Sequence, residues 1–343
     1  MYPKTLRLIE EKRQAGVFPG AVFSFIEDDR EENHVLGNSQ VDPEEILMQE
    51  DFLFDVASLT KVVCTTTMLL KLKEAGQLFW DQSLHEILPE FQNESITLRH
   101  LLTHTSDIKT YIPQRDQLNA EELRAAYLTL QPGDQLGEIV QYTDAGTILL
   151  GFLLEKYYQK DAVAVFKEEV LQPLGMTDSL FLPQAPYDKI VPTQKLADGT
   201  ILKGKTHDPK ARVLAAHAGN AGLFTTVKDL SKFAKMYLNL GHIKDMIYLK
   251  EETIRELLDD QTPSGKGKRS IGWDLKFSPL DQSVLLFHTG YTGTFLVLDI
   301  IKQSAFIFLS NRVHPSDHRA SYVIQRDEIL ASYLQERATR YQK

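Results

Sequence analysis

The sequence predicts an α+β fold, an antiparallel sheet flanked by helices with an all-helical segment inserted between its two parts. β-prone apolar runs lie near both ends of the chain, and helical patterns separated by polar loops fill the middle. The last strands also follow one another through short turns, which favours antiparallel pairing. With 343 residues, 43% of them hydrophobic, the chain suits one large domain or two interlocked ones.

Residues 3–15 read as a surface helix. After Gly16 and Pro19-Gly20 comes an apolar strand at 21–26, a charged turn at 27–32 and a second hairpin strand at 34–37. From Ser58 to Lys71 apolar residues recur at helical spacing (Leu59, Val62, Val63, Met68, Leu69, Leu70), and Ala75-Gly76 supplies the stop. Helical patterns follow at 84–88, 98–102, 121–130, 147–158 and 163–171. Residues 188–218 are irregular, 227–240 and 251–258 read as helices, and strands are expected at 270–277, 283–287, 294–300 and 305–310. A last helix at 319–337 can cover one sheet face together with the first. Residues 1–76 plus 215–343 then form the sheet domain, and 77–214 the helical domain with an irregular connection.

A net charge of −9 without a basic stripe disfavours non-specific binding to nucleic acid or anionic lipid. No stretch approaches ~18 uninterrupted apolar residues, so no membrane span is expected. The first 13 residues do not resemble a signal peptide, and the expected location is the cytoplasm. The single cysteine, Cys64, excludes internal disulfides and lies in an apolar helix, which suits a buried, inert thiol. Oligomeric state is not legible.

The chemistry centres on Ser58-Leu59-Thr60-Lys61 at the start of the apolar helix. Residues at i and i+3 share a helix face, so the Lys61 amine can reach the Ser58 hydroxyl, and burial is expected to lower the lysine pKa. A serine hydroxyl needs such a neighbour to become a nucleophile, and the helix N-terminus offers N–H groups to a developing oxyanion. A helix N-cap beside a solvated lysine fits the same residues. A second Ser-x-x-Lys, Ser106 to Lys109, lies in polar sequence without an apolar stripe and reads as loop.

Tyr142-Thr143-Asp144 precedes a helix, where the tyrosine can project into a cleft and share proton transfer with Lys61; a packing tyrosine and an Asp144 N-cap explain the same residues. His288-Thr289-Gly290 ends a strand, and glycine lets a ligand approach the backbone, so the N–H of Tyr291 can join that of Ser58 in an oxyanion hole. A glycine-rich hairpin fits equally. His100 and His104 have the i, i+4 spacing of a zinc pair but lack a His-Glu-x-x-His context and an evident third ligand, and no metal is expected. Gly-x-Ser-x-Gly, Walker and Gly-x-Gly-x-x-Gly motifs are absent.

Taken together and in this order, Ser58-Leu59-Thr60-Lys61, Tyr142-Thr143-Asp144 and His288-Thr289-Gly290 resemble the motifs of class C β-lactamases, low-molecular-weight penicillin-binding DD-peptidases and related serine esterases. Stretches 96–106, 218–224 and 309–315 look like the family too, and the resemblance spans about residues 15–335. It implies a β-lactamase/transpeptidase-like fold with a cleft between sheet and helical domains. Within that cleft it implies Ser58 as nucleophile, Lys61 and Tyr142 moving protons, the N–H groups of Ser58 and Tyr291 holding the oxyanion, and no metal or organic cofactor.

Two departures stand out. Asp144 replaces the usual asparagine and, ionised, can only accept hydrogen bonds, binding substrate less well or pairing instead with Lys61; His288 replaces the lysine of many β-lactamases. Asp144, His288, Thr289 and Gly290 are the substrate-binding candidates. The expected substrate is a small ester, an amide or D-amino-acyl bond, or a cell-wall fragment. The missing export signal favours an esterase over a DD-carboxypeptidase or β-lactamase, and a non-catalytic binding protein on the same fold is the alternative of another class.

Overall fold

The computed structural model describes residues 1–278 and 280–340. The N-terminal strands are β1 (Gly20–Glu27), β2 (Arg30–Gln40) and β3 (Ile46–Leu47). Short strands β4 (Phe54–Asp55), β5 (Leu180–Phe181) and β6 (Leu223–Thr225) form a small second sheet, and β7 (His242–Ile243) pairs with β8 (Met246–Ile247). From the C-terminal part come β9 (Asp274–Phe277), β10 (Val284–Gly290), β11 (Thr294–Asp299) and β12 (Ser304–Ser310). The main sheet has seven strands in the order β3-β2-β1-β12-β11-β10-β9, each pair antiparallel.

The seam of this sheet joins the two ends of the chain: β1 pairs with β12 from Ala21 opposite Ser310 to Glu27 opposite Ser304. Helices cover both faces of the sheet, which is why β1, β11 and β12 are buried along their whole length and read as apolar runs instead of alternating. On one face Phe23, Phe25, Phe295, Phe306 and Phe308 pack with Tyr2 and Tyr333, brought by the N-terminal segment and the last helix. On the other, Val22, Leu296, Ile307 and Leu309 share a core with the helix Val227–Leu238 and with Val62, Val63 and Met68 of the serine-bearing segment. That core continues into the helical region through Leu101, Ile148 and Phe152.

Several elements differ from the sequence reading. The serine-bearing helix is not regular α throughout, because Lys61–Thr66 is a π-helix that precedes the α-helix Thr67–Glu74. β9 starts four residues later than expected: Gly272 has φ +77° and packs so tightly that a Cβ there would lie 2.2 Å from the Thr66 hydroxyl oxygen, so the chain turns before pairing. The irregular stretch 188–218 contains a helix, Pro209–Leu214, whose N-cap Asp208 accepts from the Ala211 N–H at 2.8 Å. Among the described residues no helix is long and apolar enough to cross a membrane.

The last helix runs to Arg340, beyond the expected end at 337, because its final turns are anchored. Arg337 is fully buried and ion-pairs with the fully buried Asp299 at the end of β11. Asp281 lies farther off, at 3.6 Å from the same guanidinium. Removing the carboxylate leaves a buried cation with poorer compensation, so Asp299→Ala is expected to cost about 3–5 kcal/mol of stability. Equilibrium urea unfolding measures it, and a loss below about 1 kcal/mol would contradict the anchoring role.

Candidate active site

The site begins with the turn that carries Ser58. Asp55 Oδ1 accepts from the Ala57 N–H at 2.9 Å, and Ala57 sits at φ +46°, a left-handed conformation that a residue with a Cβ adopts only when held. The holding groups come from three directions. The hydroxyls of Thr292 and Thr294 donate to the carbonyls of Asp55 and Val56 at 2.6 and 3.2 Å, the Val56 N–H donates to the Leu223 carbonyl at 3.1 Å, and the Thr60 hydroxyl donates to the Ala57 carbonyl at 2.7 Å. At Gly290 a Cβ would lie 2.3 Å from the Val56 carbonyl oxygen, so the end of β10 reaches this turn only because residue 290 is glycine. Ser58 therefore occupies the turn just before the helix, half-buried, and not its first helical position.

Three residues on, Lys61 is 1% exposed. Its ammonium donates to Ser58 Oγ at 2.7 Å, to Asp144 Oδ1 at 2.7 Å and to the Asn220 carbonyl at 3.1 Å. Three oxygen atoms surround this nitrogen, an arrangement that suits three N–H donors and so favours the ammonium form. Burial alone would lower its pKa, as the sequence reading expected, but the Asp144 carboxylate and then Tyr142 outweigh burial and hold it above the ordinary lysine range. Asp144 is held below the ordinary carboxylate range: burial works against ionisation, and Lys61 and Lys210 more than reverse it.

Tyr142 is half-exposed at 48%, with Lys61 Nζ 5.3 Å from its ring centroid. Its ring lies between His104, at 4.4 Å between centroids, and His288, at 6.1 Å. Both histidines are buried, and burial, reinforced by the charges of Lys61 and Arg269, holds both well below the ordinary imidazole range. They are neutral at physiological pH. His288 bonds through Nδ1 to its own Thr289 carbonyl at 3.0 Å. His104 Nδ1 accepts from the Thr143 N–H at 3.4 Å, whereas His100 Nδ1 accepts from the Thr97 N–H at 3.1 Å in a capping box. The two zinc-spaced histidines thus each accept from a backbone N–H, His100 within its own helix start and His104 across to the segment before Asp144.

A pocket of about 270 Å³ opens in front of Ser58, lined also by Tyr142, Thr289, Gly290 and Tyr291 and by three arginines, Arg312, Arg319 and Arg326. Arg312 is buried and bonds to Asp317 and to the Tyr291 carbonyl, fixing the backbone whose N–H is the second oxyanion candidate. Arg326 pairs with Asp327 at 2.7 Å. Among the described residues Arg319 has no carboxylate partner; its guanidinium stands 5.3 Å from the Tyr291 ring centroid.

The sequence-predicted Ser58, Lys61, Tyr142 and Asp144 converge directly, and Thr289, Gly290 and Tyr291 form the neighbouring wall. His288 stands behind that wall, 3% exposed. Both oxygens of Asp144 face lysines, Lys61 and Lys210, which is the second of the two roles its sequence allowed. Lys210, Asp208, Arg319 and Arg326 lie outside every sequence motif, and His104 stands out in the sequence only for its zinc-like spacing from His100 and its place in stretch 96–106. Asn220 and Arg312 do fall in stretches 218–224 and 309–315, whose patterning had marked them as family-like. A possible cation cluster among the described residues, Glu155, Asp161 and His217, lies towards the other end of the helix Ala145–Tyr158, with Glu155 already bound to Arg124.

A serine bonded to a buried lysine, with an antiparallel sheet on one side and a helical region on the other, is the arrangement of a serine hydrolase. The chain belongs to the beta-lactamase family, whose model matches residues 6–329. It is 28% identical over 310 residues to the Escherichia coli (strain K12) protein named "Putative D-alanyl-D-alanine carboxypeptidase", covering 76% of this chain and 69% of that one. It is 27% identical over 359 residues to the N-acetylmuramyl-L-alanine amidase of Bacillus subtilis (strain 168), covering 91% and 81%. Among solved structures, a class C beta-lactamase superposes with a TM-score of 0.76 at 19% identity, over 96% of this chain and 94% of that one.

The two carboxylates near Ser58 titrate in opposite senses. Asp144 and Lys61 stabilise each other fully between the unfolded values of about pH 4 and about pH 10; that stability is lost as pH falls through the depressed Asp144 value or rises through the elevated Lys61 value. Burial instead raises Asp55 to about 6, against the backbone N–H groups of His207 and Ala57. Its contribution is present at low pH and lost as pH rises through about 6. Relative to Asp55→Asn, the parent is therefore expected to lose on the order of 2 kcal/mol between pH 4 and pH 7. Urea unfolding at the two pH values checks the sign; an unchanged difference would place the Asp55 carboxyl in water-like surroundings.

Proposed function

We propose that this protein is an acyl-enzyme hydrolase that uses Ser58 to cleave an amide bond to alanine in a carboxylate-bearing cell-wall fragment. The observation that carries the reading is the Lys61 ammonium 2.7 Å from Ser58 Oγ at the edge of an arginine-lined pocket. Ser58 attacks the acyl carbonyl. Because Lys61 is occupied by three acceptors, Tyr142 acts as its phenolate: it takes the serine proton as Ser58 attacks and passes that proton to the leaving amine, returning to phenolate, while the ammonium lowers the cost of charge on both oxygens. The N–H groups of Ser58 and Tyr291, neither donating a hydrogen bond within the protein among the described residues, receive the oxyanion. Water then releases the acyl group.

The arginines move the preference from the neutral ester favoured by the sequence to an anionic substrate. Arg319, without a carboxylate partner among the described residues, is the group best suited to receive one. The names of both relatives describe action at an alanine amide, and an alanine residue with a free carboxyl group supplies an anion near the scissile bond.

A fluorophosphonate probe is expected to label Ser58 and to leave Ser58→Ala unlabelled; no label on the parent would favour a binding protein. Lys61→Ala and Tyr142→Phe are each expected to lose at least ~10²-fold in rate. The substrate class is tested by comparing D-alanyl-D-alanine peptides and an N-acetylmuramyl-L-alanine peptide with neutral p-nitrophenyl esters. Arg319→Ala is expected to raise KM about 10-fold for the carboxylate substrates and to leave the neutral ester unchanged. A higher kcat/KM for the neutral ester in the parent would restore the esterase reading.

A further inference from the structure

Lys61 and Asp144 belong to a closed ring of five residues. Asp144 Oδ1 takes the Lys61 ammonium at 2.7 Å, and Asp144 Oδ2 faces the Lys210 ammonium at 3.1 Å. Lys210 in turn binds Asp208 Oδ2 at 2.8 Å, Asp208 Oδ1 accepts from Asn220 Nδ2 at 3.2 Å, and the Asn220 carbonyl accepts from Lys61 at 3.1 Å. Asn220 is fully buried, and the side chains of Lys210, Asp208 and Asp144 are only 15%, 18% and 24% exposed. Four separate segments of chain meet here, and the ring contains two ammonium groups and two carboxylates.

This balance bears on the reaction. A carboxylate at residue 144 places a negative charge one hydrogen bond from Lys61, across that ammonium from Ser58, where the tetrahedral intermediate would form. Left alone it would oppose the oxyanion and draw the ammonium away from Ser58. Lys210 reaches the second oxygen of that carboxylate from outside the catalytic group, without lining the pocket. Asp208 is itself fixed as the N-cap of the helix that carries Lys210, so the ammonium is delivered by a rigid element.

We propose that Lys210 is a positioning residue that neutralises Asp144 and thereby keeps Lys61 directed at Ser58. The inference rests on the proposed role of Ser58 as nucleophile. It ties Lys210 to the aspartate at 144: with a neutral amide there, the second lysine has nothing to offset.

The test is a double-mutant cycle read by the rate of Ser58 labelling with a fluorophosphonate and by kcat and KM on p-nitrophenyl acetate. Lys210→Met is expected to slow labelling and lower kcat by about 10-fold or more with KM within about twofold, and Lys210→Arg to recover most of the loss. In the Asp144→Asn background Lys210→Met is expected to change either rate by less than about twofold. An equal loss in both backgrounds would make Lys210 a merely structural residue and overturn the proposal, as would an unaffected Lys210→Met enzyme. Failure of the parent to label at Ser58 would instead remove the underlying hydrolase reading. Thermal unfolding of each variant confirms that the rates come from folded protein.

Discussion

The structure depends on keeping one ammonium group charged in the interior. An isolated lysine with the burial of Lys61 would shed its proton, and the cost of keeping it is met only by well-placed acceptors. Each acceptor is contributed by a different part of the chain: Ser58 from the turn after β4, Asp144 from the start of a helix in the middle third, and the Asn220 carbonyl from the glycine-rich segment before β6. Folding the sheet and packing the helical region against it are therefore conditions for the charge, and the charge in turn fixes their mutual placement.

The glycines make this convergence sterically feasible. Gly219 lies so close to the helix Ala145–Tyr158 that a Cβ would stand 2.2 Å from the Thr147 carbonyl oxygen, and Gly290 lets β10 press against the serine turn. The π-helical segment Lys61–Thr66 contributes as well, with the Thr65 hydroxyl bonding to the Gly219 carbonyl at 2.5 Å. Lys61 opens that segment, at the point where the helix departs from regular geometry, a common place for functional groups.

Much of the architecture was legible because its signals are local. Apolar runs at 21–26, 294–300 and 305–310 became β1, β11 and β12, and helical spacing located the helices at 98–102 and 147–158 within a few residues. The proximity of Ser58, Lys61 and Tyr142 was legible because residue type, spacing and order along the chain all pointed to one site. Lys210 and Arg319 were not. Their positions arise from the starts of two helices, Pro209–Leu214 and Arg319–Arg340, whose placement depends on the complete packing, and a lysine after Asp-Pro reads as surface charge until Asp144 is placed beside it. The sign of the Lys61 shift was misjudged for the same reason: burial can be inferred from an apolar stretch, whereas the number of acceptors around a buried nitrogen cannot.

The pairing of β1 with β12 has a consequence for how the molecule is made. The two central strands are separated by nearly the whole length of the polypeptide, so during synthesis the strand that emerges first has no partner until residues 304–310 have left the ribosome. Through that interval the Phe23 and Phe25 side chains and the unpaired edge of β1 are available to other chains. The sheet therefore closes only after β12 has emerged, and until then the β1–β2 hairpin, joined through Asp28 and Asp29, covers only the opposite edge of β1.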